Sequence, residues 1–398
     1  MSPKAAPRGG FDVAVVGGGV VGAATALAFA RLGLSVAVVE MRLPPPWSPG
    51  APDLRVYALA PDNVAWLDAL GAWEPVRAAR AHPYRRMRVR DAAGGGELAF
   101  DADALGRREL GWIVEHGLLV DRLWAAMRQA GVVVLADVAL EALDQDAAAA
   151  TLGLADGTRV RARLAVAADG AASALRALAG IGVDGHGHGQ RAIVGYVAGT
   201  VPHADTAWQR FLPGGPLALL PFGDGGRTSS IVWTLPEAEA SRVLALDDAH
   251  FARELTRASD RWLGELAPSS ARVAFPLRTQ LAATQQAGRV VVVGDAAHVV
   301  HPLAGQGVNL GLRDAAALHR QATRMVAAGR EWDAPQALSR WARERRSEAA
   351  VSAQAFDAIN RVFANTQPAL VALRGPMLGL AGRIAPLRRA LWRHAAGT

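Results

Sequence analysis

The chain has 398 residues, half of them apolar and a fifth charged, which is enough for two domains or one large interleaved one with an ample core. It contains no cysteine, so disulfides, thiolate catalysis and cysteine-ligated zinc or iron–sulfur centres are excluded. The net charge of +7 is carried mostly by arginine and suits an anionic ligand or membrane surface, while the lack of any nucleic-acid motif argues against nucleic acid as a partner.

The first element is a trap. Lys4 and Arg8 precede an uncharged run from Val13 to Ala30 that imitates a secretory signal and approaches spanning length. Its glycines direct the reading elsewhere. "FDVAVVGGGVVGAATALAFARLGLSVAVVE" reads as a buried strand from Phe11 to Val16, a tight turn, a helix from Ala23 to Leu32, and a second strand ending in Glu40. Gly17, Gly19 and Gly22 form the G-x-G-x-x-G fingerprint, after which the helix N-terminus faces a phosphate with its free N–H groups. Glu40, closing the second strand, is placed to accept hydrogen bonds from a ribose diol. A cytoplasmic protein with no spanning helix is therefore expected.

"MRLPPPWSPGAPD" is a Pro-rich loop, Asn63 to Leu70 is helical, and Ala81 to Asp103 shifts to short strands with a turn at Gly94. Gly117 to Ala130 is an amphipathic helix followed by the strand "GVVVLAD". "ATLGLADGTRVRARLAVAADG" is a hairpin turning at "ADG" and leading into a buried strand. Gln190 to Val273 is rich in β signals, "VVVVG" returns to the parallel-strand type from Val290, and helices follow to the end. The two histidines of "GHGHGQ", His186 and His188, read as a flexible surface loop rather than a metal site. The arginines between Arg340 and Arg346 read as a solvated helix face.

Two further stretches place an acid beside a glycine at a strand end, Asp169-Gly170 in "AADGAASALR" and Gly294-Asp295 in "GDAAHVVHPLAGQGVNLG". With the N-terminal fingerprint, and with "DLRVYALAPDN", "ELGWIVEHGLLVDRLW" and "WQRFLPGGPLALLPF", they resemble the class A flavoprotein aromatic hydroxylases, the para-hydroxybenzoate hydroxylase-like group. Within that group the chain is most similar to the ubiquinone-biosynthesis hydroxylases. It departs from their usual pattern at Ala60, Asn63, His116 and Val120.

The resemblance implies an α/β fold in which a Rossmann-like FAD-binding domain (1–80, 105–181 and 277–345) is interleaved with a β-sheet substrate domain (81–104 and 182–276), followed by a helical C-terminus (346–398). Gly17, Gly19, Val20, Gly22 and Glu40 would bind the ADP half of FAD. Asp169, Gly170, Gly294 and Asp295 would lie along the ribitol and pyrophosphate, and Arg55 near the flavin or nicotinamide. Gly305, Gln306, Gly307, Val308 and Asn309 would open a helix facing the flavin pyrimidine, with Pro302 and Leu303 beside the ring. NAD(P)H would reduce FAD, O2 would add at flavin C4a, and the hydroperoxide would hydroxylate a polyprenylated phenol or quinone precursor. Phe211, Leu219 and Pro221 are the expected cavity wall, and His301, Tyr196 and Arg210 the candidate catalytic side chains. No metal is expected: Asp295, His298 and His301 read as flavin loop and scaffold rather than as a metal triad. A peripheral membrane contact, through the basic C-terminal segment, and partners in a quinone-biosynthesis complex fit such a substrate, and the oligomeric state is left open. Two alternatives stand: a hydroxylase of a soluble aromatic compound, and a flavin-bearing member of a biosynthetic complex without catalysis.

Overall fold

Phe11–Val16 and Val36–Glu40 are near-continuous apolar runs, and Arg159–Ala167 becomes one from Leu164 onward, as strands covered on both faces must be. They pair in parallel, and alternation sorts their side chains. Val13 and Val15 pack with Ala23 and Leu27 of the fingerprint helix Val20–Arg31, while Ala14 and Val16 pack with Leu152 and Leu175 on the opposite face. The computed structural model describes residues 10–93, 96–223, 225–300 and 306–364, together with Gly379, Trp392, Ala396 and Gly397. His301, Pro302, Leu303, Gly305, the turn at Gly94, the side chain of Gln306 and most of the C-terminal segment lie outside the described residues.

Among the described residues, the first sheet runs in the order Gln286–Ala287, Val290–Val292, Arg159–Ala167, Phe11–Val16, Val36–Glu40, Val133–Ala136, with the hairpin strands Ala150–Leu154 and Leu140–Gln145 alongside. The second sheet, largely antiparallel, runs His298–Val299, Val273–Ala282, Val183–Gly199, Thr228–Pro236, Gly215–Pro221, Thr206–Leu212, Arg86–Asp91, Glu97–Asp101. A small sheet of Val56–Leu59, Gly111–Glu115 and Ala81–Tyr84 sits between them in sequence. The stretch beginning at Gly294 thus leaves the end of one sheet and adds a two-residue strand to the edge of the other.

Three expectations from the sequence are corrected. The β-rich region also contains helices Glu237–Leu244 and Asp248–Ala258, whose buried Ala240, Val243, Phe251 and Leu255 recur at helical spacing and cover one face of the second sheet. His186 and His188 are not in a loop: they belong to the strand Val183–Gly199, paired with Val273–Ala282. Arg345 is not solvated. It is 4% exposed, and the helix carrying it, Pro335–Ala364, begins well before residue 346. No helix among the described residues is long and apolar enough to cross a membrane.

Arg345 exists in the interior because Asp314 does. The Asp314 carboxylate is fully buried on the helix Gln306–Ala327 and accepts from Arg345 Nε at 2.8 Å, from Gly294 N–H at 3.1 Å and from His298 Nε2 at 2.6 Å. A buried charge is tolerated only when paired and hydrogen-bonded, and this one is satisfied on three sides. Against the cost of burial, the cations hold the Asp314 carboxyl below its usual range, and Asp314 lifts the His298 imidazole. Asp314→Asn is expected to cost about 3–5 kcal/mol, as breaking a buried pair does. The lowered carboxyl contributes fully above the ordinary Asp pKa and loses its contribution as pH falls. The raised imidazole contributes fully below the ordinary His pKa and loses its contribution as pH rises. Denaturant titrations of wild type and variant should therefore differ most between about pH 4 and pH 6.5.

Candidate active site

The carboxyl ends of Phe11–Val16, Val36–Glu40 and Arg159–Ala167 open together on one edge of the first sheet, where doubly wound folds bind ligands. Gly17 turns there with φ 98°, and a Cβ on it would lie 2.4 Å from the Ala168 carbonyl oxygen. A Cβ on Gly22 would lie 1.9 Å from the Gly17 oxygen, so helix and strand pack as close as backbone allows. Gly19 differs: nothing lies within 4 Å of where its Cβ would be. That bare space faces the N-terminus of Val20–Arg31, which has no side-chain cap and no acid in its first turn. Uncapped N–H groups beside open space suit a pyrophosphate.

Glu40 stands at the next strand end, accepting from Gly18 N–H and from Arg42 N–H at 3.0 Å. Trp124 donates to the Gly18 carbonyl at 2.7 Å and walls the same turn. On the other side, buried Arg176 donates to the Ala296 carbonyl at 2.9 Å and the Ala171 carbonyl at 3.0 Å, clamping the Asp169 loop to the Gly294 loop. Asp169 itself turns inward, accepting from Ser173 Oγ and from Leu175 N–H at 3.1 Å, so it caps the helix Ala174–Leu178. Gly170 has φ 83°, and nothing within 4 Å blocks the space where its Cβ would be. Asp295 is exposed to the cleft. These donors, acceptors and bare turns fit the ADP and ribitol portions of FAD, toward whose hydroxyls Glu40 and Asp295 would be the acids.

Gly307 and Val308 lie in the first turn of the helix Gln306–Ala327. The Asn309 side chain does not face the cleft: it accepts from Ala60 N–H at 2.8 Å and Asn63 Nδ2 at 2.9 Å, and donates to the Ala58 carbonyl at 2.8 Å. It joins the helix start to the strand Val56–Leu59. Ala58 and Ala60 also line an apolar cavity with Met87, Phe100, Leu220 and Trp392. Its described lining includes no charged side chain.

The substrate-wall residues read from the sequence divide here. Phe211 stacks on Phe363 at 4.0 Å and packs with Phe100 and Trp392 at the cavity margin. Leu219 faces away, packing with Leu217 and Ile231 under the two helices, and alternation puts Pro221 on its side. The wall is formed instead by Ala218 and Leu220. Arg210 donates to the Ala258 carbonyl at 3.0 Å and so caps the end of Asp248–Ala258. The Tyr196 hydroxyl donates to the Asp53 carbonyl at 2.5 Å, and burial pushes its pKa far up, so it braces the Asp53 turn rather than accepting protons. Arg55, on that turn, is exposed and lies 5.7 Å from the Phe275 ring. Buried Glu115 organises the turn by accepting from Asp53 N–H at 2.9 Å and from Arg80 Nε at 2.8 Å. Glu115 and Asn309 carry roles that no local motif announces, since their partners lie 62 and 249 residues away.

Glu40→Gln is expected to leave the fold intact and to weaken FAD binding about tenfold, the value of one charge-assisted hydrogen bond. Fluorescence titration of the apoprotein measures it, and unchanged affinity removes Glu40 from the site.

Residues 10–355 match the family model described as FAD binding domain. The chain is 38% identical over 392 residues to the ubiquinone hydroxylase UbiL of Rhodospirillum rubrum, covering 97% of this chain and 90% of that protein. It is 35% identical over 388 residues to the 3-demethoxyubiquinol 3-hydroxylase of Escherichia coli, covering 97% and 98%. The p-nitrophenol 4-monooxygenase PnpA of Pseudomonas putida shares the fold, with a TM-score of 0.77 at 23% identity over 96% of each chain. The chain belongs to this FAD-binding family of flavoprotein monooxygenases, among its ubiquinone-biosynthesis hydroxylases.

Proposed function

We propose that the protein hydroxylates the ring of a polyprenylated phenol or quinone precursor of ubiquinone, using FAD, NAD(P)H and O2. The observation that carries this reading is the uncharged cavity whose wall, Ala58 and Ala60, is hydrogen-bonded through Asn309 to the first turn of the helix Gln306–Ala327. The flavin, when bound, supplies reduction by NAD(P)H and activation of O2. The chain's own residues do the rest. The glycine turns, Glu40 and the clamp made by Arg176 hold the nucleotide end. The N-terminus of Gln306–Ala327 favours negative charge on the ring beside it. Met87, Phe100 and Leu220 exclude water and orient an apolar substrate.

A hydroxylase of a soluble aromatic acid needs a cation to pair the carboxylate in its cavity, and the described lining offers none. A prenyl tail resides in a membrane, so we place the protein at the inner membrane surface as a peripheral contact, with the +7 charge favouring anionic lipid. Partners in a quinone-biosynthesis complex belong to the same proposal.

Ala218 faces the cavity, and Ala218→Phe would fill it. The variant is expected to retain FAD and NAD(P)H oxidation while product formation falls at least about tenfold and peroxide rises, the signature of uncoupling. Complementation of strains blocked at each ring hydroxylation, read by mass spectrometry of the quinone intermediates, tests the substrate. Restoration at one position is expected, and restoration at none overturns the quinone assignment.

A further inference from the structure

The strand Val183–Gly199 and the helix Pro335–Ala364 bring three metal-ligating side chains together away from the flavin cleft. His186 and His188 are two apart on a strand, so alternation projects both imidazoles from one face, and their rings meet edge-on at 4.9 Å. Asp357 reaches them from the helix. His186 Nε2 is 3.5 Å from Asp357 Oδ2, and His188 Nε2 is 3.8 Å from Oδ1. Both separations exceed the usual hydrogen-bond distance of about 2.7–3.2 Å. They approach instead the spacing of about 3.3–3.4 Å between two atoms held on one tetrahedral zinc. The three ligand atoms lie within 4.8 Å of one another, and small rotations would close them on a shared ion.

The surroundings fit that use. Thr279 Oγ1 donates to Asp357 Oδ1 at 3.1 Å, orienting the carboxylate as an outer partner, and accepts from His188 Nε2 at 3.0 Å a proton that a metal at that nitrogen would displace. Asn360 donates to Gln190 Oε1 at 3.2 Å, tying the next turn of the helix to the same strand. His186 is half exposed, leaving an entry path and room for water as a fourth ligand.

We propose that His186, His188 and Asp357 form a site for a divalent first-row transition metal of the zinc class, clamping the long helix to the substrate sheet. Two imidazoles and one carboxylate select such ions over Mg2+ and Ca2+, which prefer all-oxygen ligands. A second cluster, His82, His203 and Asp205, does not serve in the same way. There the His–Asp contact is already at hydrogen-bond length, with His82 Nε2 3.0 Å from Asp205 Oδ1, and His203 Nδ1 accepts from Asp205 N–H at 3.2 Å.

The test uses full-length, tag-free holoprotein stripped with EDTA and dialysed against Zn2+, with metal analysis of the protein. Wild type and His82→Ala should retain one zinc, with no comparable binding of Mg2+ or Ca2+. His186→Ala and Asp357→Asn should bind zinc more than about 100-fold more weakly, since loss of merely an outer partner costs about 10- to 100-fold. Unchanged FAD content, and a Tm equal to that of wild type when both are metal-free, in His186→Ala, whose side chain is half exposed, separate lost metal from lost fold. Wild type that retains no zinc, or an His186→Ala variant that binds it equally well, overturns the proposal.

Discussion

The Asp314 carboxylate is the constraint around which the cofactor half of the molecule is arranged. A charge with no exposure must be met by donors, and the donors it recruits come from three separate segments. Gly294 N–H fixes the strand end, His298 fixes the start of the second sheet's edge, and Arg345 fixes the long helix against the first. The loop that presents Asp295 to the cleft therefore has both of its flanks anchored to one buried oxygen pair. A loop so held can meet a ligand without paying ordering entropy on binding.

Asn309 performs the corresponding task for the substrate half. Its amide is satisfied by Ala58, Ala60 and Asn63, all on or beside the wall of the apolar cavity, while its own backbone belongs to the start of the helix Gln306–Ala327. One fully buried side chain thus ties the helix start to the cavity wall. A shift of either wall would strand amide groups in the interior, at a cost of about 1–3 kcal/mol each. This coupling is what oxygen transfer demands, because a small misplacement of the reacting atoms is costly in rate.

The sequence announces the parts whose physics is local. The fingerprint glycines, the buried parallel strands and the acid at Glu40 are readable because turn geometry, alternation and strand ends depend on neighbours within a few residues. What it hides is long-range or decided by a single step of register. Leu219 and Leu220 are equally apolar, and only the pairing of Gly215–Pro221 with Thr228–Pro236 determines which of them meets the cavity. Asp169 and Arg210 stand in motif-bearing stretches yet spend their side chains on helix ends, since a backbone group without a partner claims the nearest acceptor or cation. Arg345 reads as one more surface arginine until its partner, 31 residues earlier, is placed beside it.

The chemistry of the cavity follows from what its described lining lacks. Tyr84, one of its few polar members, is pushed up to about 12 by burial, and Gln209 does not titrate. Neither can take a proton at neutral pH, and Tyr196, the nearby phenol suggested by the sequence, is bound to a carbonyl with its pKa raised further. The described lining thus offers no side chain suited to general base catalysis. It suits a substrate ring already rich in electrons, on which oxygen attack depends on orientation more than on ionisation. Orientation is then the property the apolar walls select, because a shaped hydrophobic surface fixes a ring and its tail where charge pairing cannot. Phe100 and Trp392, which line the cavity and pack with Phe211 stacked on Phe363, are aromatic surfaces of that kind.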